Sequence, residues 1–267
     1  MITDSLKGQP SRNKLIAFED GTYIELFNWV ERPDEPHEWA DKKPGIIDFA
    51  LTSMPPSTSQ SLHEGITARL QPHAGGTAVD LMYEPPEAGG RVRIDGVEVK
   101  WTLTKPMRNF ASSTPPRPLQ NAHGYHQIFP FFTHDITDRN VRVLFDDNGK
   151  TTHPCGATGF SSVEVLFPEP VYARYLALYE KVLDVPAKAV SGVSDKPSHE
   201  LVVKPPVQGS NQSRILTRAK PHAGGYVWLQ NSGAGIRGLR LAVKGRHGHG
   251  VRALGSEGIA STLFLEW

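Results

Sequence analysis

Short apolar runs punctuated by Asp-Gly pairs set the terms on which this chain can fold. Residues 13–18 and 22–29 are strand-like and flank Glu19-Asp20-Gly21, and residues 91–94 and 97–104 flank Asp95-Gly96. Asp-Gly readily takes the positive backbone angles of a tight turn, so each pair predicts a hairpin. Further strand-like runs lie at 45–52, 77–83, 127–136 and 160–167, with Pro130 marking an edge or bulge. The tail adds 214–219, 226–230, 236–243 and 261–267. The 25 glycines and 22 prolines among 267 residues are about half as many again as the usual share, which disfavours a helical bundle.

Two segments carry helical spacing. Leu62, Ile66 and Leu70 recur every fourth residue in 57–70, and Tyr172, Tyr175, Leu176, Tyr179 and Leu183 form one stripe in 170–183. The order strand, helix, loop, three strands therefore occurs at 45–140 and again at 159–267. The pentapeptide Pro72-His73-Ala74-Gly75-Gly76 returns as Pro221-His222-Ala223-Gly224-Gly225. The opening hairpin matches the last two strands of a third such unit. The expectation is an α+β fold of paired βαβββ modules, with curved mixed sheets around a cup-shaped cavity. Residues 1–12 are expected to fray, and 13–150 to hold an incomplete first module and a complete second. A boundary is expected at 146–158, with a third module over 151–267 that carries a polar loop at about 187–210.

The formal charge of +1 gives no electrostatic reason to expect a nucleic-acid or anionic-membrane partner. No apolar run approaches the roughly 18 residues of a membrane span. The single cysteine, Cys155, excludes an internal disulfide framework and a cysteine-based zinc site. No apolar leader segment is visible at the N-terminus, and a cytoplasmic protein is expected. A small-molecule ligand is the remaining class of partner, with a homodimer formed through the open edge of the first module.

Alternation along 22–29 puts Tyr23, Glu25 and Phe27 on one face. Glu25 has two readings: a functional carboxylate beside aromatics, or an ordinary residue on a solvated face. His134-Asp135 ends a strand after two aromatics, where an imidazole suits metal ligation or proton transfer and equally suits a turn cap. Trp101, Phe131 and Phe132 read as core or cavity wall. The pairs His123/His126, His73/His222 and His247/His249 read as surface, turn and flexible-loop residues. No serine nucleophile elbow, dinucleotide fingerprint or EF-hand loop is present.

The run from Asn13 through Gly21 to Leu26 resembles the signature strand pair of the glyoxalase-like domain proteins, in the vicinal oxygen chelate superfamily. Residues 45–51, Gly89-Gly90-Arg91 with Asp95-Gly96 and Trp101, 130–137, 153–159 and the strand and helix from Ser161 to Leu183 resemble that group as well. The resemblance implies paired βαβββ modules and a small-molecule isomerase, lyase or ring-modifying enzyme, including roles in specialised metabolism. It implies one divalent metal ion (Zn, Ni, Mn or Fe), held by side chains of first and last strands. Metal-free binding proteins of the same fold are the alternative. On this resemblance Glu25, His134 and Asp135 are the candidate catalytic residues, Glu25 and His134 the metal ligands, and Tyr23, Phe27, Trp101 and Phe132 the substrate wall. Phe49 and Ser162 or Val163 stand where catalytic relatives place first-strand histidines, and Glu266 lies in a setting like that of Glu25. The first strand and helix of the opening module are expected to be missing.

Overall fold

The computed structural model describes residues 2–4, 11–31, 39, 45–53, 57–71, 81–93, 95–108, 128–190, 197–220, 235–244, 251–254 and 262–266. It opens with three antiparallel strands, β1 (Ile2–Asp4), β2 (Ser11–Ala17) and β3 (Tyr23–Trp29), in the order β1-β2-β3. The segment expected to fray thus contributes a strand, with Ile2 opposite Leu15 and Asp4 opposite Asn13. Asp20-Gly21 makes the expected turn, and Gly21 takes φ +79° there, a conformation a side chain resists.

The first complete module comprises β4 (Ala50–Thr52), α1 (Ser59–Leu70), β5 (Leu81–Tyr83), β6 (Glu87–Val92), β7 (Glu98–Thr104), β8 (Pro106–Arg108) and β9 (Phe131–Asp135). Its main sheet runs β4-β9-β7-β6, with β4 parallel to β9. That order is first, fourth, third, second, the arrangement a βαβββ unit makes when its helix crosses back over the sheet. Thr58 caps α1 through a reciprocal box with Ser61. The Pro-Pro-Glu-Ala-Gly-Gly run of residues 85–90 predicts a turn, but Gly89 and Gly90 lie inside β6 instead. Gly89 faces Trp101 across the ladder, and a Cβ there would collide with the indole; the ring covers backbone that glycine leaves bare.

After two short helices, α2 (Arg139–Val143) and α3 (Asn148–Thr151), the pattern restarts. It comprises β10 (Ala157–Pro168), α4 (Tyr172–Leu183), β11 (Lys188–Ala189), β12 (Ser198–Val203) and β13 (Ser213–Lys220). The order β10-β13-β12-β11, with β10 parallel to β13, repeats first, fourth, third, second. The expected polar loop therefore contains two strands, because Leu201 of β12 is fully buried and ties the segment to the core. The module is complete by Lys220. Beyond it, β14 (Gly235–Val243) lies antiparallel to β10, β16 (Thr262–Glu266) lies parallel to β14, and β15 (Val251–Leu254) closes the far edge. Seven strands form one sheet, joined at its centre through β10 and β14. The repeated pentapeptide and the expected strand at 226–230 lie outside the described residues.

Helices α1 and α4 share one core. Ile66 and Leu70 of α1 meet Tyr172, Tyr175, Tyr179 and Val182 of α4, with Val165 and Phe167 of β10 beneath. Arg69 of α1 donates to the carbonyls of Lys181 and Val182 at 2.5 and 3.2 Å, satisfying acceptors that the end of α4 leaves open. The hydroxyls of Tyr83 and Tyr179 donate to the carbonyls of Pro130 and Ile128. Burial pushes both phenols well above their ordinary range.

The hairpin β2–β3 is pinned between the modules. Ile16, Phe18 and Ile24 pack with Ala157, Phe160 and Leu241. The buried Asp20 carboxylate accepts from Thr22 N (2.9 Å), Thr22 Oγ1 (2.6 Å) and Phe160 N (3.1 Å). Gly159 allows this approach, since a Cβ at that position would overlap the carboxylate. From the other side, Arg139 Nε and Nη2 donate to Gly21 O at 3.0 and 2.7 Å.

Candidate functional site

Strand alternation separates the residues expected to act together. Trp101 pairs with Asp135, Thr102 with His134 and Thr104 with Phe132, so Trp101 and Asp135 share one sheet face while His134 and Phe132 share the other. The latter is the helix side. Phe132 is buried there with Ile66, Leu70 and Tyr83, a core residue and not a cavity wall. His134 Nδ1 lies 2.5 Å from Ser53 Oγ.

The opposite face carries Trp101 and Asp135. Asp135 Oδ2 pairs with Arg139 Nη1 and Oδ1 with Arg142 Nε, both at 2.8 Å, with all three side chains close to nine-tenths buried. The Arg142 guanidinium lies 5.7 Å from the ring centre of Tyr23 and 5.9 Å from that of Trp101. Tyr23, Trp101 and Asp135 are therefore brought together, through arginines of α2 that carried no functional signal in the sequence. Asp138 caps α2 by accepting from Asn140 N, which aims Arg139 and Arg142 back at Asp135.

Of the two readings of Glu25, its surroundings match the solvated face. Its side chain is exposed and accepts from Asn13 Nδ2 at 2.6 Å, beside the pair on β2. Phe27 packs edge-on against Trp29 and Trp39, with ring centres 4.9 and 5.2 Å apart. Glu25 and His134 belong to different sheets. His73, His123, His126, His222, His247 and His249 lie outside the described residues.

A second polar centre lies on the face of the seven-stranded sheet that turns away from α4. Along β10, Val163, Val165 and Phe167 point to the helix, so Ser162, Glu164 and Leu166 point the other way. Glu164 is 1% exposed and forms an ion pair with Arg218 Nε of β13. Across the ladders Ser162 is flanked by Arg214 on β13 and Arg240 on β14, and Glu164 by Leu216 and Gly238. Gly238 itself brings no side chain beside the carboxylate. The Ser162 hydroxyl, on a residue 3% exposed, has no hydrogen-bond partner among the described residues. The register shift between Phe160 and Ser162 brings Ser161 Oγ to the Glu266 carboxylate of β16, to which it donates.

The glyoxalase-like domain family matches residues 5–183. The chain belongs to that family. This glyoxalase-like protein has as one structural neighbour a hypothetical protein from Staphylococcus aureus. The two are 12% identical with a TM-score of 0.59, over 99% of this chain and 89% of the neighbour. A mutant of 4-hydroxymandelate synthase from Streptomyces coelicolor is 13% identical with a TM-score of 0.45, over 90% of this chain and 61% of that one. Methylmalonyl-CoA epimerase from Mycobacterium tuberculosis is 17% identical with a TM-score of 0.28, over 43% of this chain and 91% of the epimerase. No protein of curated function matches. Among the described residues, no helix is long and apolar enough to cross a membrane.

The residues of these faces do not fit a divalent cation. On the sides of β4, β9, β10 and β13 that turn away from the helices, the ligand-type side chains among the described residues are Asp135 and Glu164, and each is already paired with guanidinium. Three or more His, Cys, Asp or Glu side chains converge nowhere among the described residues. Arginines around a lone carboxylate oppose a second positive charge. Glu164 was open to detection from sequence as the one charge within the otherwise apolar and small run of residues 160–167. Its pairing with Arg218, far along the chain, was not.

Proposed function

We propose that this glyoxalase-like protein binds and transforms a small molecule on the concave face of the seven-stranded sheet, with Glu164 as the proton-handling group of an isomerase- or lyase-type reaction. The observation that carries this reading is the buried Glu164 carboxylate at the junction of two strand sets, oriented by Arg218 and opposite Gly238 across the ladder. A carboxylate fixed in this way can take a proton from a carbon beside a carbonyl and return it. Negative charge developing on the substrate oxygen would meet the guanidiniums of Arg218 and Arg240. The absence of histidine at Phe49 and Ser162 supports chemistry that these side chains perform themselves.

Metal-free binding without turnover uses the same face and the same residues; product formation separates the two. In this account Asp135 and His134 serve the architecture, through Arg139, Arg142 and Ser53, and Glu25 lies outside the site. The test is a thermal-shift and turnover survey of small carbonyl compounds with wild type and Glu164→Gln. Compounds that stabilise the wild type and lose their effect in folded Glu164→Gln support the reading. Compounds that stabilise both equally contradict it.

A further inference from the structure

The pair Ser53–His134 stands in a different sheet from Glu164. Ser53 continues β4, donating its amide to Thr133 O at 3.3 Å. Thr52 stands opposite Thr133, and Thr102 opposite His134. Ser53, His134 and Thr102 therefore form one row across three strands, on the face against which α1 packs. The preceding row is Leu51, Phe132 and Thr104, with Phe132 and Thr104 buried. Exposure then rises along the chain: Phe132 is 6% exposed, His134 half-buried and Ile136 58% exposed. Ser53 is half-buried as well, so solvent reaches the pair at the margin of the helix-covered core.

Ser53 Oγ lies 2.5 Å from His134 Nδ1, the one hydrogen bond of the imidazole among the described residues. Thr102 Oγ1, in the same row, has no partner among the described residues and does not compete for the ring. Strand β9 lies between β4 and β7, which holds the base from both sides. With the ring proton on Nε2, Nδ1 accepts from the Ser53 hydroxyl, the arrangement in which an imidazole activates a nucleophile. We propose that Ser53 and His134, besides tying β4 to β9, act as nucleophile and base in acyl transfer from small activated esters. Ser53 Oγ attacks the acyl carbon while Nδ1 takes the hydroxyl proton. The bond from that carbon to the leaving oxygen then breaks, and the proton passes to the leaving group. Water, giving a proton to the same nitrogen, attacks the acyl-serine, releases the carboxylic acid and restores the Ser53 hydroxyl. Asp135 points to the opposite face and is committed to Arg139 and Arg142. The imidazole thus works without a carboxylate, which restricts the substrates to esters with good leaving groups.

The test is incubation of the full chain with p-nitrophenyl acetate, reading nitrophenol release and mapping the acetyl group by peptide mass. The proposal expects acetyl on Ser53 of the wild type. It expects release to slow about a hundredfold in His134→Gln, and the Ser53 label to be lost in Ser53→Ala with the melting temperature retained. The mapping is made on wild type, so it decides the question even where a variant fails to fold. Acetyl found on lysines and not on Ser53, or Ser53 labelled equally fast in folded His134→Gln, overturns the proposal.

Discussion

Asp135 and Glu164 are both carboxylates held by arginine on the sheet faces opposite α1 and α4, yet they are built differently. Asp135 is served by two arginines of α2, four and seven residues further along the chain, and the short helix lies over its face so that Arg142 fills the gap between Tyr23 and Trp101. Glu164 is paired with Arg218 of a neighbouring strand, with Gly238 opposite it on the other side and the Ser162 hydroxyl, unpartnered among the described residues, next along the same face. The first arrangement is closed and complete. The second joins two neighbouring strands of one sheet across their ladder. The same chemical pair thus serves as a clamp in one module and as a ligand face in the other, and what differs is whether local chain has been used to cover it.

The sharpest way to break this contrast is Asp135→Ala. It leaves two nearly buried guanidiniums without their carboxylate and is expected to cost about 3–5 kcal/mol, seen as a large fall in the denaturation midpoint. A loss of about 0.5 kcal/mol or less, typical of a surface site, would show that Asp135 is spare for function and that the two regions are alike. Next in size is Gly159→Ala, which drives a methyl group into the Asp20 carboxylate at a cost of about 1–3 kcal/mol. That variant sharpens the comparison, because it loosens the joint between the regions without touching either carboxylate pair. An unchanged midpoint would mean that the hairpin is held elsewhere.

A smaller effect depends on pH. Burial holds the Asp20 pKa above its ordinary 3.8, so the native state binds this proton more tightly than the unfolded chain. Its contribution to stability therefore grows as pH falls from neutral toward 3.8, and is lost as pH rises through the folded value. Wild type should gain on Asp20→Asn across that acid range in parallel denaturant titrations; a constant difference would remove the account of the turn. Smallest of all, Glu25→Gln should shift stability by no more than about 0.5 kcal/mol, since its carboxylate is exposed. Ligand responses should be unchanged. Loss of a ligand response in Glu25→Gln alone would move the site to the opening hairpin.

Much of the architecture was legible where local chemistry dictates it. The Asp20-Gly21 hairpin, the capped helix ending at Leu70 and the tyrosine stripe of α4 follow from turn residues and periodicity. The strands within 187–210 were hidden because their burial depends on Leu201 reaching a core assembled from distant residues. The glycines of β6 read as a turn because nothing local announces that Trp101 will cover them. For the site, strand alternation places Asp135 and His134 on opposite faces, but which face is concave depends on where α1 docks. Glu25 and Phe27 share a strand face, yet the burial of that face is set by whatever packs against it. The cluster around Glu164 is a product of strand order, with β13 and β14 brought to either side of β10, and no spacing in the sequence encodes that.

The central claim is that ligand recognition is centred on Glu164. Its most direct measurement is the backbone amide chemical-shift map of the isotope-labelled protein during titration with a stabilising compound from the thermal survey. The account predicts that the largest shifts fall on Ser162, Glu164, Leu216 and Gly238, and vanish in Glu164→Gln. Shifts centred on Tyr23, Trp101 and Asp135, and persisting in that variant, would contradict it.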